Sequence, residues 1–143
     1  MATIVSYRDL EAWKSAMELL LSIYDVAARL PPIERFELAS QLRRAAVSVP
    51  ANIAEGQAYG PGRRYRHHVG IALGSLGELD TLLEAVRRIG YLTDQALRGS
   101  IELRHQTGRV VHGLDRSLRR RQIAAWCLML TGILSLSAAL LFS

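Results

Sequence analysis

The sequence predicts an all-α protein, an antiparallel up-and-down four-helix bundle with an additional C-terminal apolar helix. Three observations predict it. Half of the 143 residues are hydrophobic but only 6% are aromatic, a balance that favours helices over short packed strands. Apolar side chains recur at intervals of three and four in four stretches joined by short turns, and short turns make successive helices antiparallel. The segment from Ile123 to Ser143 carries no charge at all. The chain therefore divides into a bundle over residues 1–121, long enough to bury a core, and an apolar segment over 122–143.

The first helix places Leu10, Trp13, Met17, Leu20, Leu21, Tyr24 and Ala28 on one expected apolar stripe. It stops near Leu30, because Pro31-Pro32 removes two backbone donors. A second helix is expected from Ile33 or Glu34, with a stripe of Leu38, Leu42, Ala45, Val49 and Ile53 and a kink at Pro50. Gly60-Pro61-Gly62 ends it in a turn. The third helix repeats Val69, Leu73, Leu76, Leu79, Leu83 and Val86. Beside that seam, Gly70, Gly74 and Gly77 each cost a helix about 1 kcal/mol relative to Ala, which points to another helix backbone close by, in this subunit or another. Gly90 followed by Tyr91-Leu92 reads as a glycine C-cap, and Thr93-Asp94 as the N-terminal cap of the next helix. The fourth helix carries Leu97, Ile101, Val111, Leu114 and Leu118, with a polar interruption from Arg104 to Arg109.

Charge is uneven along the chain. Residues 1–60 hold six basic and seven acidic side chains, whereas residues 61–121 hold twelve against six. The second half is thus the surface for phosphate or anionic lipid. The single cysteine, Cys127, excludes an intrachain disulfide or a multi-cysteine zinc site and fits a cytoplasmic location. Arg8, Asp9 and Glu11 follow the N-terminus at once, a pattern without a signal peptide.

Several motifs together carry a family likeness: Tyr7-Arg8-Asp9-Leu10 with Trp13, Gln41-Leu42-Arg43-Arg44-Ala45, Ser48-Val49-Pro50-Ala51-Asn52-Ile53-Ala54-Glu55-Gly56, and Gly74-Ser75-Leu76 with Glu78-Leu79. Over residues 4–121 the chain resembles the bacterial four-helix-bundle proteins encoded in intervening sequences of large-subunit ribosomal RNA genes. The resemblance implies a homopentamer and kinship with the accessory variability proteins of diversity-generating retroelements, which bind nucleic acid and a reverse transcriptase. Expected partners are therefore further copies of the chain, RNA or DNA, and a reverse transcriptase or other protein. In the family, chains usually end near the equivalent of Arg121, so the apolar segment is a departure.

Arg63, Arg64 and Arg66, with His67 and His68, form the densest cationic cluster, and phosphate binding is its functional reading. Cations at a helix N-terminus oppose the dipole unless an anion compensates; the alternative is a solvated loop end. Gln41, Arg44, Ser48, Asn52 and Glu55 make a polar stripe, read as a structural hydrogen-bond network in preference to a ligand pocket. Arg119, Arg120 and Arg121, followed by Trp126, suit a membrane boundary or simply a basic helix end. Residues 123–143 would extend about 30 Å as a helix, enough to anchor the chain at the inner face of the cytoplasmic membrane. Burial in an oligomer or filament is the second reading of that segment, and a frameshift product the third.

No enzyme, cofactor or metal site is expected. No phosphate loop or nucleophile motif is present, and His105 and His112 share a helix face two turns apart. Arg87, Arg88, Arg98, Arg104, Arg109 and Arg116 read as ordinary surface charge. The expected function is a non-enzymatic homo-oligomeric scaffold that binds nucleic acid through phosphates; the alternative is a membrane-associated or self-assembling structural protein driven by its C-terminal segment.

Overall fold

The computed structural model describes residues 6–141, with side chains described for residues 6–129. The described residues form four α-helices and no strand: α1 (Glu11–Ala28), α2 (Leu38–Ala58), α3 (Arg63–Ile89) and α4 (Asp94–Leu141). α1 packs on α2 and α4, and α3 packs on the same two helices, so α1 and α3 stand diagonally across a helical bundle.

The buried stripe of α1 is Ala12, Ala16, Leu19, Ile23, Val26 and Ala27. The expected stripe is met in part: Leu10 is buried and Trp13 and Leu20 pack against the core, but Leu21 is 66% exposed, Tyr24 41%, and Ala28 also faces outward. α1 has two apolar faces, and the one that turns inward carries the fully buried Leu19, Ile23 and Val26 among its alanines. The 310 turn Pro32–Phe36 replaces the expected first turn of the second helix. α2 begins at Leu38, whose N–H donates to the Glu34 carboxylate at 3.1 Å, so a side chain supplies the cap that the proline pair cannot. Leu42, Ala45, Val49 and Ile53 are buried as expected, and α2 runs on across the buried Pro50.

Gly60 and Gly62 adopt φ values of 72° and 148° in the α2–α3 turn, which the absence of a Cβ permits. At the far end of α3, Gly90 is left-handed, Tyr91 N–H donates to the Val86 carbonyl, and Tyr91 and Leu92 pack on the core. Within the polar interruption in α4, Thr107 faces α1: the buried hydroxyl donates to the Ser15 carbonyl at 3.2 Å, and the two hydroxyls lie 2.8 Å apart. One turn pair away, Ser22 and Ser100 meet at 2.6 Å.

α4 continues from the bundle through Arg119–Gln122 without a break. The apolar segment is therefore an extension of the fourth helix, not an additional one; no Gly or Pro lies between Leu114 and Thr131 to interrupt it. Ile123, Trp126, Leu128 and Met129 are exposed. Among the described residues no helix is long and apolar enough to cross a membrane. The side chains of the expected anchor beyond Met129 lie outside the described residues.

Candidate nucleic-acid interface

The run from Ser48 to Gly56 is spent on joining α2 to α3. Ser75 Oγ donates to Ser48 Oγ at 2.8 Å, and Asn52 Nδ2 donates to the same oxygen and to the Ser48 carbonyl. With its amide nitrogen so engaged, Asn52 presents Oδ1 to His68 Nδ1 at 3.0 Å, so that ring nitrogen carries the proton. His68 Nε2 stands 3.7 Å from Glu55 Oε1. One turn on, Gly56 lies against Tyr65: a Cβ there would come within 2.6 Å of the ring. Burial raises the pKa of the Tyr65 phenol, and nearby Arg121 partly offsets it. Of the polar stripe, Ser48, Asn52 and Glu55 thus join one network, completed by Ser75 and His68, whereas Gln41 and Arg44 lie exposed at the other end of α2.

The expected phosphate cluster divides in two. Arg63, Arg64 and His67 are exposed on the first turns of α3. Arg66 instead reaches α4, where Nη1 donates to Gln122 Oε1 at 2.8 Å and Nε lies 3.8 Å from Asp115 Oδ1. His68 belongs to the α2–α3 network and stacks on Tyr59, whose ring also lies beneath the Arg64 guanidinium at 5.3 Å.

The fold adds cations that are remote in sequence. Arg63, Arg66 and Arg119 line one cavity of about 550 Å³ with Ile123 and Trp126. Arg121 lines a second with Gly60, Pro61 and Tyr65 beside the α2–α3 turn. Asp115, the acid on this part of α4, is held by Arg119 at 2.8 Å as well as by Arg66. The turn and the following α4 segment therefore make one basic end, at which Arg63, Arg64, Arg120 and Arg121 are exposed.

A second basic surface escaped the sequence reading. His105, Arg109, His112 and Arg116, spaced by four, three and four, line a groove of about 640 Å³ between α3 and α4, with Arg104, Leu73, Leu76 and Gly108. The spacing was the available signal; what it lacked was the identity of the opposite wall. Arg104 lies deeper, donating to the Leu76 carbonyl at 3.2 Å and pairing with Asp80. The described residues contain no His, Cys, Asp and Glu group suited to hold a metal ion.

The family model described as 23S rRNA-intervening sequence protein matches residues 8–113. Among solved structures, a protein of unknown function from the S23 ribosomal protein family of Bacteroides thetaiotaomicron is similar, with a TM-score of 0.67 and 19% identity. The likeness covers 73% of this chain and 97% of that one, and it concerns the fold. No curated protein matches the chain in sequence.

Proposed function

The chain belongs to the 23S rRNA-intervening sequence protein family, and on that premise we propose that it is a non-enzymatic homo-oligomeric scaffold that binds RNA or DNA through phosphate contacts at its basic end. The observation that carries this reading is the convergence of Arg63 and Arg64 from α3 with Arg120 and Arg121 from α4, where Asp115 is already neutralised by Arg66 and Arg119. Exposed arginines offer forked donors to phosphate oxygens and no fixed pattern of base contacts, so binding is salt-sensitive and tolerant of sequence.

The crossed order of the Ser15–Thr107 and Ser22–Ser100 pairs supports antiparallel neighbours in the bundle. Assembly as a pentamer, kinship with retroelement accessory proteins and a reverse transcriptase as protein partner extend the same reading, with action in the cytoplasm. A mobility-shift titration with RNA and DNA at low and moderate salt tests the binding. Replacing Arg63, Arg64, Arg120 and Arg121 with Ala is expected to weaken it strongly and to reduce its salt dependence, and absence of binding by the wild-type chain at low salt overturns it.

One observation favours a second reading. Ile123 and Trp126 are exposed beside Arg63 and Arg119, a cationic and aromatic margin suited to an anionic lipid surface. Flotation with anionic vesicles, lost on truncation after Gln122, is the expected result; equal behaviour of both chains removes it.

A further inference from the structure

The α3–α4 groove and the outer face of α1 complement each other, and we propose that α1 of one copy of this chain docks in the groove of the next. The proposal rests on the homo-oligomer reading above and assigns its interface. Met17, Leu21, Tyr24 and Ala28 follow one another at helical spacing along the outside of α1, and Leu21 and Tyr24 are the large side chains left in water there. Beside them Glu11, Glu18 and Asp25 recur every seven residues, about 10 Å apart along the axis; Glu11 pairs with Lys14 at 2.8 Å and Asp25 with Arg29 at 3.7 Å, so the row keeps one net negative charge.

The groove has the opposite character at the same interval. Arg109 and Arg116 are seven residues apart, as are His105 and His112, above a floor of Leu73 and Leu76. An apolar strip whose margin is net acidic, with Glu18 clear of the Lys14–Glu11 and Arg29–Asp25 pairs, thus meets an apolar floor with a cationic margin in matching register.

The α3 bank of the groove makes room for a helix. Gly70, Gly74 and Gly77 share the side of α3 that carries Leu73, all three are exposed, and a Cβ on any of them would meet nothing within 4 Å. Within the subunit these glycines weaken α3 and bring no helix closer. Against a second copy they allow near approach of backbones. A nucleic-acid strand would satisfy the cations but leave Leu21 and Tyr24 in water, whereas a second copy covers both surfaces. The two faces are different and lie on different sides of the bundle, so the contact is head-to-tail and closes into a ring when the rotation between copies permits.

Sedimentation of the full-length chain over a range of concentrations tests this. Glu18→Arg with Asp25→Arg, or Arg109→Glu with Arg116→Glu, is expected to raise the assembly midpoint at least tenfold with helix content unchanged, and all four changes in one chain to restore assembly. Gly74→Leu, at a position open to solvent, is expected to weaken assembly while leaving the subunit folded. A monomeric wild-type chain would overturn the oligomer reading itself. A wild-type assembly that survives both charge reversals and Gly74→Leu overturns only this interface. Loss of nucleic-acid binding with unchanged assembly in the Arg109→Glu, Arg116→Glu chain makes the groove a phosphate site and also overturns it.

Discussion

Glycines show how differently one residue type acts along this chain. At Gly56 a methyl group would press on Tyr65 within α2–α3 packing, and Gly56→Ala is expected to destabilise the fold by about 1–3 kcal/mol in thermal or urea unfolding. At Gly74, where a Cβ meets nothing, Gly74→Ala is expected to stabilise the isolated subunit by about 0.5–1 kcal/mol. The sequence presents both as glycines within helical patterns, and only the partner across the helix tells them apart. Ser48 and Asn52 were legible as a polar stripe; His68 was not legible as its terminus, because its neighbours Arg66 and His67 gave it the look of a cationic cluster. Hydrogen bonds from Arg87 and then Arg88 hold the Glu84 carboxyl down to about 2. A depressed carboxyl contributes stability that is complete above its unfolded value of 4.5 and lost as pH falls through about 2. The Glu84 carboxyl carbon shift is expected to titrate in that low range, moving toward the ordinary value in high salt; a midpoint near 4.5 at low salt contradicts it.

Four helices were written plainly, apart from the start of α2 and the continuation of α4 past Gln122, as were the glycine cap of α3 and the Gly60–Gly62 turn, since glycine and proline act on local backbone geometry. The facing of α1 was not. Two apolar stripes compete on that helix, and the choice of Ala12, Ala16, Leu19 and Ile23 depends on the shape of α2 and α4. α4 shows the converse, two polar residues, Ser100 and Thr107, that are buried because α1 supplies Ser22 and Ser15 opposite them. Thr107→Val keeps the shape of the side chain but leaves Ser15 without its buried hydroxyl partner. It is expected to lower unfolding free energy by about 1–3 kcal/mol, and a neutral effect would show that packing alone joins α1 to α4.

On the scale of the molecule, the bundle collects arginines that the sequence keeps more than fifty residues apart. The basic end exists because the α2–α3 turn and the 119–121 stretch of α4 lie together, and because Asp115 is consumed within the fold by Arg66 and Arg119. Arg66, the residue the sequence offered as a phosphate ligand, therefore holds α3 to α4, and its replacement tests stability before binding. The continuous α4 carries the exposed Ile123 and Trp126 outward from this same end. The most direct test of the phosphate reading is the salt dependence of RNA binding by the full-length chain and by its Arg63, Arg64, Arg120 and Arg121 to Ala variant. Wild-type affinity is expected to fall linearly in log–log form, and the variant to lose slope by about 0.7–0.9 for each phosphate contact removed. An unchanged slope, or no binding at low salt, would contradict it.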